Sequence, residues 1–137
     1  MTRFLSPIIL LVAVFLFSGC ATMKATLPPE PSNNPAVQTL LNKAHDEAAA
    51  GRMDAAGGNL ERALRIEPHN PVLWQELSRV RLDQGQYRQA EHLAAKSNAL
   101  SGGNRYLEAQ NWRIIGEARN RRGDLEGALE AFKKAEE

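Results

Sequence analysis

Apolar residues recur at helical spacing through most of the chain. Trp74, Leu77, Ser78 and Leu82 fall on one helical face, and after Gly85 so do Tyr87, Ala90, Leu93 and Ala94. That 3.6-residue period predicts two amphipathic helices joined by a short turn. The pattern repeats. The stretches GRMDAAGGNLERAL from Gly51, GQYRQAEHLAAKSN from Gly85 and GDLEGALEAFKKAE from Gly123 align, each glycine being followed two residues later by an apolar residue and five later by alanine. Gly51 and Gly85 are 34 residues apart, whereas Gly85 to Gly123 and Trp74 to Trp112 are both 38, so the third copy is displaced by four inserted residues. Glycine suits the end of a helix because it enters the left-handed conformation at no steric cost. Pro68 and Pro71 break the chain between the first two copies, and Ser101-Gly102-Gly103-Asn104 breaks it between the second and third. The expected fold is all-α, a solenoid of three helical hairpins with helices near 37–50, 53–67, 71–84, 87–100, 105–122 and 125–136.

The N-terminal pattern is different. Ile8 to Phe17 is an unbroken apolar run of ten residues, preceded by Arg3 and followed by Ser18, Gly19 and Cys20. A membrane-spanning helix needs about 20 apolar residues, and the core of a secretory signal about 7 to 15, so residues 1–19 read as an export signal. Cys20 is the one cysteine in the chain, so an exported product would have no intramolecular disulfide partner for it. The stretch Leu16-Phe17-Ser18-Gly19-Cys20 resembles the lipobox of bacterial lipoproteins. That resemblance implies that Cys20 is lipidated with palmitate and becomes the first mature residue. With Ala21 next, it implies the outer membrane, periplasmic face, in preference to the inner membrane. Residues 20–36 carry Pro28, Pro29, Pro31 and Pro35 and read as a semi-rigid tether.

The repeat unit, with its 34-residue period, resembles the tetratricopeptide repeat. Trp74 and Trp112 stand in its first-helix aromatic slot, Leu77-Ser78 and Ile115-Gly116 in the large-small pair, and Ala56, Ala90 and Ala128 in the small slot where helices approach closely. Leu40 and Lys43-Ala44 make the first copy the most divergent. The expected domain covers 37–137, with repeats at about 37–70, 71–104 and 109–137. The resemblance implies a superhelix with a concave groove lined by the first helix of each hairpin. In that register the candidate binding residues are Gln75, Arg79, Asp83, Arg113, Glu117, Asn120 and Arg121, with Gln38, Leu41, His45, Ala48, Ala49, Leu82 and Gln110 completing the lining. Leu41 and His45 stand where chaperone-binding members carry lysine and asparagine, which argues against a grip on C-terminal carboxylates. Arg113, Arg119, Arg121 and Arg122 are candidates to dock an acidic peptide or anionic polymer. Tyr106, Leu107, Leu125, Leu129 and Phe132 form a candidate second contact surface at the C-terminal hairpin, for self-association into a homo-oligomer or for the partner.

Charge and chemistry exclude more than they add. Without Arg3 the chain has 16 basic and 16 acidic residues, leaving no field to attract nucleic acid. His45, His69 and His92 have no metal-ligand spacing, and no nucleophile motif or phosphate loop is present. The expectation is no enzyme, no cofactor and no metal. It is instead an interaction scaffold of the bacterial envelope, tethered to the membrane by a lipid anchor and binding a partner protein or peptide. The alternative is a pilot lipoprotein that serves secretin, pilus or secretion-system assembly.

Overall fold

The computed structural model describes residues 27–137, so the expected export signal and Cys20 lie outside the described residues. Six helices follow: α1 Pro35–Ala49, α2 Met53–Ile66, α3 Pro71–Asp83, α4 Tyr87–Leu100, α5 Arg105–Arg121 and α6 Leu125–Lys134. They pair as three hairpins, α1–α2, α3–α4 and α5–α6, each packed on the next.

One local grammar writes each hairpin. An asparagine opens its first helix: Asn34 Oδ1 accepts from Ala36 N–H, Asn70 Oδ1 from Val72 and Leu73 N–H, and Asn104 Oδ1 from Leu107 N–H. Pro35 and Pro71 occupy the first turn of their helices, where the missing N–H costs nothing. Asn34 and Pro35 start α1 two residues before the apolar pattern does. Gly51, Gly85 and Gly123 close the first helices with φ of 75°, 75° and 84°. At each, two backbone bonds run back into the last turn, as in Gly85 N–H to Leu82 O at 2.9 Å and Gln86 N–H to Arg81 O at 2.8 Å. This is the Schellman arrangement, and it satisfies carbonyls the helix leaves unpaired.

Packing then follows the small slots. Ala56 and Ala90 are fully buried and Ala128 almost so, which lets paired helices approach closely. At Gly116 the approach is closer still: a Cβ there would lie 2.5 Å from Phe132 Cε1, so only glycine admits the ring. The apolar core has two parts. One joins α1, α2 and α3 around Val37, Leu60 and Leu73, and the other joins α4, α5 and α6 around Ala94, Ile115 and Ala131. Trp74 packs against the first and Trp112 against the second, with Lys134 Nζ 4.7 Å from the centre of the Trp112 ring.

The four inserted residues have a definite place. Helix α5 has 17 residues where α3 has 13. In register with Pro71 and Trp74, the regular helix would start at Ala109, so Arg105–Glu108 is one extra turn at the N-terminal end of α5.

Candidate functional site

The extra turn decides how much of the groove is open. It leans over α3, the only non-consecutive helix pair in close contact among the described residues. Gln75 Nε2 donates to Leu107 O at 3.4 Å and to Asn111 Oδ1 at 3.1 Å. Asn111 Nδ2 in turn donates to Ser97 Oγ and to Asn98 Oδ1, both at 2.8 Å, and Ser97 Oγ donates to Pro71 O at 2.8 Å. The network ties α3, α4 and α5 together, with Gln75, Ser97 and Asn111 buried and Asn98 at its partly exposed edge.

Two expectations are corrected by this network. Gln75 does not line an open groove; it is only 5% exposed and its amide is engaged by α5. Leu107 is not a contact surface but is 1% exposed, because the turn that carries it folds inward over α3. Leu41, expected in the groove lining, is also buried, in the first apolar cluster.

The open part of the groove lies toward the C-terminal ends of α3 and α5. There Leu82, Asp83, Tyr87, Glu117 and Arg121 surround a cavity of about 340 Å³. The structure therefore brings together four predicted residues, Asp83, Glu117 and Arg121 of the candidate binding set and Leu82 of the expected lining, and adds Tyr87. Arg121 Nε donates to Glu117 Oε1 at 2.6 Å. This hydrogen bond, and after it the carboxylate charge, raises the guanidinium pKa further. Arg79, Arg113 and Asn120 are exposed and stand outside the cavity wall. By helix register Arg79 lies one turn before Asp83 on α3, and Arg113 one turn before Glu117 on α5. Neither arginine has an ion-pair partner among the described residues.

The expected four-arginine cluster separates into two groups. Arg119 Nε and Arg122 Nη1 reach Glu91 on α4, at 2.7 and 2.8 Å, so both are held between α4 and α5. Arg119 also donates to Gly127 O at 3.2 Å. Arg113 has no such partner among the described residues, and Arg121 pairs with Glu117 on its own helix. Farther along, His45 Nε2 lies 3.3 Å from Glu76 Oε2, bridging the first two hairpins.

The second expected surface is reduced to its outer residues. Leu125 and Leu129 are 62% and 72% exposed and Tyr106 is 39% exposed, while Phe132 turns inward onto Gly116. A wider hollow of about 640 Å³ between the first two glycine turns is lined by Gly51, Arg52, Asp54, Gln84 and Gln86. Its walls are already joined by Gln84 Nε2 donating to Asp54 Oδ1 at 2.6 Å.

Sequence reasoning missed Tyr87 and Asn111. Tyr87 fits the apolar period of α4, but as that helix's first residue it also reaches the groove mouth. Asn111 breaks the apolar period of α5 as a polar residue, yet it stands in register with the buried Leu73 and is enclosed by Gln75, Ser97 and Asn98.

The pattern of the tetratricopeptide repeat matches residues 47–110. Among solved structures, the globular C-terminal domain of LpoP from P. aeruginosa superposes with a TM-score of 0.75 at 35% identity, covering 77% of this chain and 100% of that one. The N-terminal domain of stress-induced protein-1 (STI-1) from C. elegans superposes with a TM-score of 0.66 at 14% identity, covering 74% of this chain and 85% of that one, and shares the fold alone. No curated protein matches the chain.

Proposed function

The chain belongs to the tetratricopeptide-repeat family, and from that premise we propose that it is a lipid-anchored adaptor of the bacterial envelope that binds a partner protein or peptide between α3 and α5. The fold is a protein-interaction scaffold. The partner and the anchor are the further steps of this reading. One observation carries it: a cavity walled by Asp83, Glu117 and Arg121 opens beside two exposed arginines, Arg79 and Arg113, that have no ion-pair partner among the described residues.

An extended peptide laid along that groove would meet cations on both helices. Carboxylates of the peptide would take Arg79 and Arg113, and the solvent-exposed Glu117–Arg121 pair can exchange its internal bond for one to the ligand. Tyr87 supplies an aromatic edge for an apolar side chain between them. The occupant that fits is an extended segment with acidic residues around one apolar residue.

The anchor rests on Cys20 and its lipobox-like setting. No helix of the described residues is long and apolar enough to cross a membrane. A photo-crosslinking residue in place of Asn120, used in cells, tests the groove. The expected result is a discrete adduct that disappears when Arg79→Glu and Arg113→Glu are added. An adduct indifferent to both reversals would move the binding surface elsewhere.

A further inference from the structure

The residues before α1 do not leave the solenoid at once. Pro31 O accepts from Asn70 Nδ2 at 2.5 Å, and Leu27 O accepts from Asn104 Nδ2 at 3.3 Å. Ser32 Oγ donates to Glu67 Oε1 at 2.7 Å, while the other oxygen of Glu67 accepts from Asn70 Nδ2 at 2.7 Å. Gln38 Nε2 donates to Ser32 O at 2.8 Å. The segment thus crosses the loop edge of all three hairpins, from the start of α5 past the start of α3 to α1.

The asparagines that hold it are those that cap the helices. Each uses Oδ1 inward, on its helix N-terminus, and so has Nδ2 left to point outward. Asn70 and Asn104 are one repeat apart, and the carbonyls they hold are four residues apart. Four residues of polyproline conformation span about 12 Å, close to the roughly 8–10 Å between packed helix axes. One carbonyl is therefore presented to each hairpin. Residues 27–31 are read through their carbonyls alone, so Pro28, Pro29 and Pro31, which have no N–H to give, fit the track.

We propose that this asparagine edge is a docking track whose occupant is the chain's own segment 27–34, and that the docked strap fixes which end of the solenoid faces the membrane. This rests on the anchor reading of Cys20. Leu27 sits at the N-terminal end of α5, and the groove cavity sits at the C-terminal ends of α3 and α5. Those ends are separated by the length of α3, about 20 Å for its 13 residues. Docking of the strap leaves six residues, 21–26, in sequence between Cys20 and the docked segment, and turns the open mouth of the groove away from the lipid toward the periplasm.

The test is thiol crosslinking in the full chain carrying Cys20→Ser, with Leu27→Cys and Arg105→Cys joined by a short bis-maleimide. The parent is expected to crosslink efficiently. Asn70→Asp with Asn104→Asp keeps both helix caps, because aspartate caps as well as asparagine, but removes both amide donors. The yield should fall about tenfold, as for the loss of two net hydrogen bonds, with an unchanged circular dichroism spectrum. Should the double variant lose helix, Asn104→Asp alone gives the same reading at Leu27. Equal crosslinking in parent and variants, or none in the parent, overturns the strap. Membrane fractionation of the chain with and without the Cys20→Ser substitution reports the anchor separately. A chain that stays on the membrane as Cys20→Ser yet crosslinks loses the anchor and keeps the strap, whereas one that needs Cys20 but never crosslinks does the reverse.

Discussion

Gln75 and Asn111 meet through their side-chain amides at 3.1 Å, with Gln75 5% exposed and Asn111 fully buried. Each comes from the first helix of its own hairpin, so the bond fixes the second repeat against the third. Directional bonds of this kind set register where apolar contacts alone would let helices slide.

Asn111→Ala should therefore be costly. It removes the bonds to Gln75 Nε2, Ser97 Oγ and Asn98 Oδ1, two of them buried, and with about 1 kcal/mol for each lost bond plus the cavity left behind the loss should total roughly 2–4 kcal/mol. Urea unfolding reads it directly. A midpoint equal to the parent's would mean that water reaches the network.

Gly116→Ala sets two effects against each other. Alanine gains about 1 kcal/mol of helix propensity over glycine, but its Cβ would press on the Phe132 ring, and overpacking costs about 1–3 kcal/mol. Net destabilisation of about 1 kcal/mol is expected. The diagnostic is coupling: with Phe132→Leu already present, Gly116→Ala should become neutral or stabilising in thermal melts.

Charge reversal in the groove should leave stability alone. Arg79 and Arg113 are exposed and unpaired among the described residues, so Arg79→Glu and Arg113→Glu should melt with the parent. Each should weaken the captured partner about tenfold or more, equal to roughly 1.4 kcal/mol. Lys96→Glu, on the exposed side of α4, serves as the control in the same titration and should change nothing.

Cys20→Ser should abolish labelled palmitate incorporation and release the protein from membranes while the helical domain stays folded. Retention of the serine variant in the outer-membrane fraction would remove the support for the lipoprotein reading.

The helices and their ends were legible because their determinants are local. Glycine at 51, 85 and 123 and asparagine at 34, 70 and 104 act within one turn of where they stand, and the alanines at 56, 90 and 128 mark close approach by size alone. The site was legible only in part. Asp83, Glu117 and Arg121 follow from register, but Gln75 reads as a groove residue because its burial depends on an extra turn 32 residues away. Glu91 takes Arg119 and Arg122 for a similar reason: nothing near them in sequence announces a carboxylate on the preceding helix. The strap was hidden differently. Its recognition runs through backbone carbonyls, which every residue has, so Pro28 to Pro31 read as tether and not as contact.

The division of the apolar core gives the solenoid a mechanical joint. The boundary between its two parts runs through the middle hairpin, with α3 belonging to the first and α4 to the second. Leu93 and Leu82 lap across it, and Ser78 Oγ to Ala90 O at 2.8 Å and Gln75 to Asn111 pin it. In a one-dimensional array the cooperative unit is whatever shares an interface, not whatever shares a sequence motif. Here that unit is a half of three helices. Amide exchange should resolve two foldons that meet inside the second repeat, and a load pulling on the ends should open the middle hairpin at its polar latches before either outer one.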